Sequence, residues 1–232
     1  MKPLNIKAYG SIPHISGSRR GPGDHKIDIG QEIIATQKAR DKHDLIIVTE
    51  KLDGSCCAVA KHDGQIIALS RSGYLAYSSK YKMHHFFARW VELNYLRFND
   101  LLNEGERIVG EWIAVAHGTI YELIHEPFVV FDLFDTKNKR IIYNDLVERS
   151  SKVNLILPRL IHKGGPISVE KILSMLEPSG HGALEEIEGA VWRVERREKY
   201  DFLCKFVRQN KIDGKYLDNE IYNKNFEKYM NM

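Results

Sequence analysis

From residue 45 onward the chain is punctuated by short β-branched, apolar runs, most of them joined by short links, and this rhythm constrains the fold more than any other feature. The runs are LIIVTE (45–50), SCCAVAK (55–61), QIIALSRS (65–72), RIVGEWIAV (107–115), PFVVFDLFD (127–135), IEGAVWRVE (187–195) and DFLCKFV (201–207). Most of these links are short, which favours antiparallel pairing of neighbouring strands. His62-Asp63-Gly64 joins two of the runs, and Asp-Gly in such a link is a hairpin signal. Residues 81–103 place Phe86, Phe87, Trp90, Leu93, Tyr95, Leu96 and Leu101 mostly at helical spacing and predict one helix. Further helices are expected at 144–151 and 168–177. The segment DTKNKR (135–140) reads as a turn leading to another strand, and the polar end (215–232), with interleaved Tyr and Phe, as helix. Strands dominate, no repeat period occurs, and the fold class expected is α+β with antiparallel sheets rather than a doubly wound parallel sheet.

Residues 10–30 are rich in Gly, Pro and Ser and carry Arg19-Arg20. They read as a loop, either a mobile surface loop or one that meets phosphates through the arginines and nearby amides. The 232 residues, 43% hydrophobic and 28% charged, suffice for a sizeable core. A net charge of only +3 excludes a whole-chain polyelectrolyte binder, so nucleic-acid contact requires a local basic surface. The three cysteines (Cys56, Cys57, Cys204) show no zinc-ligand spacing and read as buried, reduced thiols. His84-His85 read as packing or surface residues rather than ligands. There is no signal-like apolar start and no apolar stretch of membrane-spanning length, so a soluble protein of the reducing cytoplasm, without membrane contact, is expected.

The chemistry centres on Lys51-Leu52-Asp53-Gly54, where an apolar strand ends in a lysine followed by an acid and a glycine. Lysine becomes nucleophilic when burial, a cation or a metal lowers its pKa, and glycine permits a tight turn and close phosphate approach. A second copy, Lys211-Ile212-Asp213-Gly214, follows a polar stretch with no strand running out of it. It is set aside as the reactive site, Lys211 reading as a surface or RNA-contacting residue. The first copy has ordered company: Ser70-Arg71-Ser72-Gly73, Gly110-Glu111-Trp112, Phe131-Asp132, Glu188-Gly189-Ala190-Val191-Trp192-Arg193, and Lys205 with Arg208 close behind.

That order resembles the covalent nucleotidyltransferase superfamily of DNA ligases, RNA ligases and messenger-RNA capping enzymes. Over residues 40–210 it is most similar to phage-type double-strand RNA ligases and small stand-alone bacterial RNA ligases, through Thr49-Glu50 before the lysine, Ser-Arg-x-Gly, and Lys-Phe-Val-Arg near the end. The resemblance implies an ATP-grasp-like nucleotidyltransferase domain of antiparallel sheets flanked by helices. It would occupy 1–232 as one unit, with a loop-rich segment at 1–40 and a tail at 209–232. The 27 residues after Lys205 are too few for a separate OB-fold domain, which argues against DNA ligases and capping enzymes.

The implied activity is ATP-dependent joining of RNA 5′-phosphate and 3′-hydroxyl ends, with AMP carried covalently on Lys51. Lys51, Lys205 and Asp53 form the implied catalytic set, although Asp53 could instead orient the loop. Thr49, Glu50, Arg71, Glu111, Phe131 and Arg193 form the nucleotide-binding set. Glu50 would accept from the adenine amino group, Arg71 would meet ribose or a phosphate, Glu111 would accept from a ribose hydroxyl, and Phe131 would stack on the base. Glu188 would hold Mg²⁺ or Mn²⁺, while Lys205 with Arg193 would neutralise phosphoryl charge. RNA is the implied partner, and no protein partner is specified. One departure stands out: the family's late basic motif has two lysines spaced by one residue, and Leu203 occupies the first position here, with Lys199 or Arg208 as possible compensation. A minimal DNA ligase and a non-catalytic nucleic-acid-binding protein on a ligase scaffold are the alternatives.

Overall fold

The structure, a computed structural model, describes residues 2–217 and 221–230. Its elements are α1 (Ile29–Thr36), β1 (Asp44–Lys51), β2 (Ser55–His62), β3 (Gln65–Ser70), α2 (Lys82–Leu93), α3 (Tyr95–Leu101), β4 (Arg107–Trp112), β5 (Phe128–Phe134), α4 (Tyr143–Lys152), β6 (Leu160–Gly164), α5 (Val169–Leu173), β7 (Gly189–Arg196) and β8 (Lys199–Val207). Among the described residues the strands form two four-stranded sheets, ordered β6-β1-β7-β8 and β3-β2-β4-β5, with every pairing between them antiparallel. The α+β, antiparallel expectation is therefore met.

Period-two alternation explains why the strands read as continuous apolar runs. On β2, Cys57 and Val59 face the helix-covered core that holds Phe87 and Trp90 of α2, Phe98 of α3 and Leu146 of α4. Their neighbours Ala58 and Ala60 face the opposite side, against Ala8 and Tyr9. In the first sheet Ile46, Val48, Trp192, Val194 and Cys204 pack against Ala35 of α1 and Ile172 of α5. Both faces are buried, so alternation with polar residues is lost. The cysteines are free thiols, Cys57 and Cys204 buried as expected and Cys56 half-buried at the cavity wall.

Several elements differ from expectation. The helix predicted over 81–103 breaks at Asn94, whose side-chain amide donates to the Trp90 carbonyl (2.9 Å) and competes with the helical hydrogen bonds. The supposed loop-rich start holds helix α1, hidden in the sequence by its brevity and its glycine. No strand follows the 135–140 turn; Arg140 makes a single bridge to Phe134 and α4 begins. The edge strand β6 escaped notice because it pairs only with β1 and is half exposed and polar.

The predicted C-terminal helix is also absent from the described part of 215–232: a 3-10 turn forms at Phe226–Tyr229, and residues 218–220 and 231–232 lie outside the described residues. Residues 221–224 instead dock against the β4–β5 connection. Buried Asn223 accepts from the Tyr121 amide and donates to the Ile113 carbonyl, both at 2.8 Å.

The Gly/Pro-rich segment is pinned rather than loose. Lys205 N–H donates to Pro13 and Ile15 N–H donates to Lys205, so residues 13–15 cover the free edge of β8.

Candidate active site

Lys51 ends β1, a central strand of one sheet, and Ser55 begins β2, a central strand of the other. Leu52-Asp53-Gly54 is thus the passage between the sheets. Gly54 is required there, because a Cβ would lie 2.5 Å from the Trp112 carbonyl oxygen. A cavity of about 760 Å³ opens at this passage, lined by Thr49, Lys51, Val191, Leu203 and Lys205 from one sheet and by Cys56, Arg71, Glu111 and Phe131 from the other. All ten expected site residues line it.

Their side chains do not all serve the cavity in the same way. Lys51 Nζ meets Glu188 Oε2 at 2.5 Å and donates to the Leu52 carbonyl at 3.2 Å. Burial pulls its proton affinity down, but the negative charges of Glu188, Glu111 and Asp53 outweigh burial and hold its pKa above the ordinary lysine range. Burial pushes Glu188 and Glu111 each up to about 7, with Lys51 pulling the other way. Of the routes to a reactive lysine, burial alone does not suffice here: the surrounding carboxylates keep Lys51 an ammonium. Glu188, whose carboxylate meets Lys51 and is poorly solvated, offers hard carboxylate oxygen of the kind that can bind a divalent cation. Lys205 lies on the same wall, its pKa lowered by burial and by Lys51.

Asp53 turns away from chemistry towards architecture. Its Oδ2 accepts from Gly118 N–H (3.0 Å) and Thr119 Oγ1 (3.3 Å), and its own amide donates to the Tyr121 hydroxyl (3.0 Å). Glu111 accepts from Gly54 N–H at 3.1 Å, closing the turn behind Lys51. Glu50 precedes Lys51 by one residue, so alternation sends its side chain to the other face. There the carboxylate accepts from Ser179 Oγ (2.6 Å), Gly180 N–H (2.9 Å) and Arg159 Nε (3.4 Å). Contact with adenine through that carboxylate is thereby corrected: although Glu50 borders the cavity, its carboxylate is committed to these partners.

Phe131 is the unpaired residue of a bulge, since Val109 pairs with Asp132 and Gly110 with Val130. The bulge presents the ring to the cavity, edge-on to Tyr9 at 5.2 Å. Arg193 borders the cavity, but its guanidinium is committed to Asp132 (2.6 Å), Glu195 (2.6 Å) and the Ile141 carbonyl. It ties β7 to β5, and so one sheet to the other. Arg71 is exposed and donates to the Gly10 carbonyl at 3.2 Å.

Sequence reasoning missed Tyr9, Asp24, His117 and Asp213, which also line the cavity. The second Lys-x-Asp-Gly copy folds against the first: Asp213 and Gly214 border the cavity, and Asp213 pairs with Arg19 at 3.1 Å. Lys211 is buried, its ammonium 3.1 Å from Thr119 Oγ1, so its assignment to the surface is corrected. Neither Lys199 nor Arg208 lines the cavity; Arg208 pairs with Glu186 and Glu177, and Leu203 gives the wall an apolar residue at this position. His84 and His85 both bond Ser79, at 2.6 and 2.7 Å, in keeping with a packing role.

Among solved structures the chain is similar to a Naegleria gruberi RNA ligase variant in its apo form (TM-score 0.55, 20% identity), covering 92% of this chain and 60% of that one. A variant of the same ligase with ATP and Mn gives a TM-score of 0.54 at 20% identity, covering 92% and 63%. An archaeal ATP-dependent RNA ligase gives 0.53 at 17% identity, covering 88% and 48%. The chain thus spans between about half and two thirds of the length of these neighbours, and the likeness is one of fold. No curated protein sequence matches. Residues 44–207, well over half of the chain, match the family model described as RNA ligase, and the chain belongs to the RNA ligase family.

Proposed function

We propose that this protein is an ATP-dependent RNA ligase that joins 5′-phosphate and 3′-hydroxyl ends through AMP carried on Lys51. The observation that carries the proposal is the position of Lys51 at the passage between the sheets, caged by Glu188, Glu111 and Asp53 with Lys205 on the same wall. In the first step Lys51 Nζ attacks the α-phosphorus of ATP. A P–N bond forms, the bond to the β-phosphate oxygen breaks, and pyrophosphate leaves with the electron pair. In the second step the P–N bond breaks as a 5′-phosphate oxygen takes the AMP and the lysine regains its amine. In the third, a 3′-hydroxyl attacks the activated 5′-phosphate and AMP departs.

The residues present fit Mg²⁺ or Mn²⁺, which Glu188 would hold directly or through water, supplying positive charge to the triphosphate and against the Lys51 proton. Phe131 faces the base, with Val191 and Leu203 as apolar walls from the opposite sheet. Arg71 and Lys205 neutralise phosphate charge. Thr49 shares the Lys51 face of β1 and borders the same space. Asp53 and Arg193 act through the groups they hold in place. The Naegleria gruberi neighbour bound to ATP and Mn supports the choice of nucleotide and metal class.

The test is incubation with α-phosphate-labelled ATP and Mg²⁺ or Mn²⁺, followed by a denaturing gel. Label is expected on wild type and Lys211→Ala and not on Lys51→Ala; its absence from stripped wild type would overturn the proposal. Leu203, apolar where the family has a cation, favours a binding protein on a ligase scaffold, and that same blank gel would make this the preferred reading. Sealing of RNA but not DNA 3′-hydroxyl ends separates the proposal from a minimal DNA ligase.

A further inference from the structure

Beside the cavity mouth runs a stretch of unusual charge. Residues 64–91 contain no Asp or Glu, yet carry Arg71, Lys80, Lys82 and Arg89 in a chain of net charge only +3. Within this stretch Tyr74, Tyr77 and Tyr81 are each about half exposed (46, 52 and 52%), although a tyrosine ring is costly to leave in water. They do not hang on a loose loop. Ala76 between them is fully buried in the helix-covered core, Ser70 N–H donates to the Tyr74 carbonyl at 2.9 Å, and Tyr81 N–H donates to Ser79 Oγ at 3.2 Å.

Cations sit over two of the rings, Lys2 over Tyr74 at 5.0 Å and Lys80 over Tyr81 at 5.1 Å. The Tyr77 hydroxyl bonds Glu92, which Arg89 pairs at 3.3 Å. The patch continues into the cavity: Tyr81 lies edge-on to His84 at 5.9 Å, and His84, Ser72 and Arg71 line the cavity wall. Rigid, exposed aromatic rings interleaved with basic side chains form the surface on which unpaired bases stack while cations follow the backbone. A protein partner would find such a surface poor in matching hydrogen-bond acceptors, whereas a polyanion with planar bases complements both features.

We propose that Tyr74, Tyr77 and Tyr81 form a stacking platform for the unpaired bases of an RNA strand whose end enters the Lys51 cavity. The proposal rests on the RNA-ligase assignment and gives it a route for the strand. Stacking on one tyrosine is lost on truncation to alanine and kept by phenylalanine, which retains the ring.

The experiment is fluorescence anisotropy of the full chain with a 5′-phosphorylated, single-stranded oligoribonucleotide labelled at its 3′ end, and with a blunt RNA duplex for comparison. Wild type is set against Tyr74→Ala, Tyr81→Ala, the two phenylalanine variants, and Tyr95→Ala as an exposed control on α3. Each platform alanine is expected to weaken single-strand binding about fivefold or more. The phenylalanine variants and Tyr95→Ala should bind like wild type, and the blunt duplex should respond to none of them. ATP labelling of Lys51, measured in parallel without RNA, should be unchanged in all five. Alanine variants that bind like wild type, phenylalanine variants that fail like alanine, or a wild type that does not bind the strand would each overturn the platform. Loss of Lys51 labelling in wild type would instead overturn the ligase assignment, so the two failures are distinguishable.

Discussion

Asp132 offers the sharpest test of what holds the cavity open. It is 1% exposed and accepts from Tyr9 Oη (2.6 Å) and Arg140 Nε (2.9 Å) on one oxygen and from Arg193 Nη1 (2.6 Å) on the other. Asp132 belongs to β5 and Arg193 to β7, so this pair is a charged strut between the two sheets. Asp132→Asn keeps the shape but removes the charge, and it turns one acceptor into an NH₂ that must face a donor. Removing one partner of a buried pair costs about 3–5 kcal/mol, because the guanidiniums remain buried without compensation. In a domain of this size each kcal/mol moves Tm by about 2–4 °C, so a fall of about 6–20 °C is expected in thermal unfolding followed by circular dichroism. Tyr9→Phe removes one bond to the same carboxylate and should cost about 1.5–3 kcal/mol. The double variant should fall short of the sum, since both changes act on one network. Breaking the exposed Lys152–Glu148 pair with Lys152→Ala should leave Tm where it is. An Asp132→Asn protein that melts within 2 °C of wild type would refute the strut.

Asn223→Ala leaves the Tyr121 amide and Ile113 carbonyl unsatisfied and should cost about 2–4 kcal/mol, with faster proteolysis after residue 217 as the accompanying readout. His181, whose burial lowers its pKa to about 3, accepts from the Arg159 amide (3.0 Å) and donates to His125 (2.8 Å), an arrangement that requires it neutral. A folded pKa below the unfolded value of about 6.5 means that the stability is present above pH 6.5 and is lost as pH falls towards 3, by about 2 kcal/mol at pH 5. His181→Gln should flatten that acid slope in urea titrations, and an unchanged slope would exclude His181 as its source. Glu188→Gln removes the closest anion from Lys51, so Lys51 should react faster with an amine-directed acylating probe at pH 8 while its labelling by ATP declines. Probe reactivity equal to wild type would show that Glu188 is not what cages the lysine.

The strands, the hairpin at Asp63-Gly64 and the lysine at the end of β1 were legible because each depends on local pattern. Period-two spacing alone turns the Glu50 side chain away from Lys51, its neighbour on β1, which the role implied by the family resemblance does not take into account. Tyr9, Asp24 and Asp213 were not legible. They come from irregular segments whose approach to the sheets is fixed by long-range contacts, such as Lys205 N–H to Pro13 and Arg19 to Asp213. Lys211 misled because a polar neighbourhood in sequence becomes a buried one when residues 211–214 pack over Gly118, where a Cβ would lie 2.6 Å from the Ile212 carbonyl oxygen. Helix α1 and strand β6 lacked the apolar length that periodicity needs.

The lysine's charge state ties these pieces to chemistry. A nucleophile placed at the passage between two sheets is held by both backbones, so its reach is fixed before any substrate arrives. On the proposed reaction, a divalent cation held by Glu188 would offset the negative charge that keeps Lys51 protonated, so its binding would ease loss of that proton. Under that proposal, caging would suppress reaction of the amine with other electrophiles until both co-substrates are bound. Leu203 bears on the same proposal: it adds no positive charge where the family's motif has a lysine, so neutralising the departing phosphates would fall to Lys205, Arg71 and the metal that the site would hold.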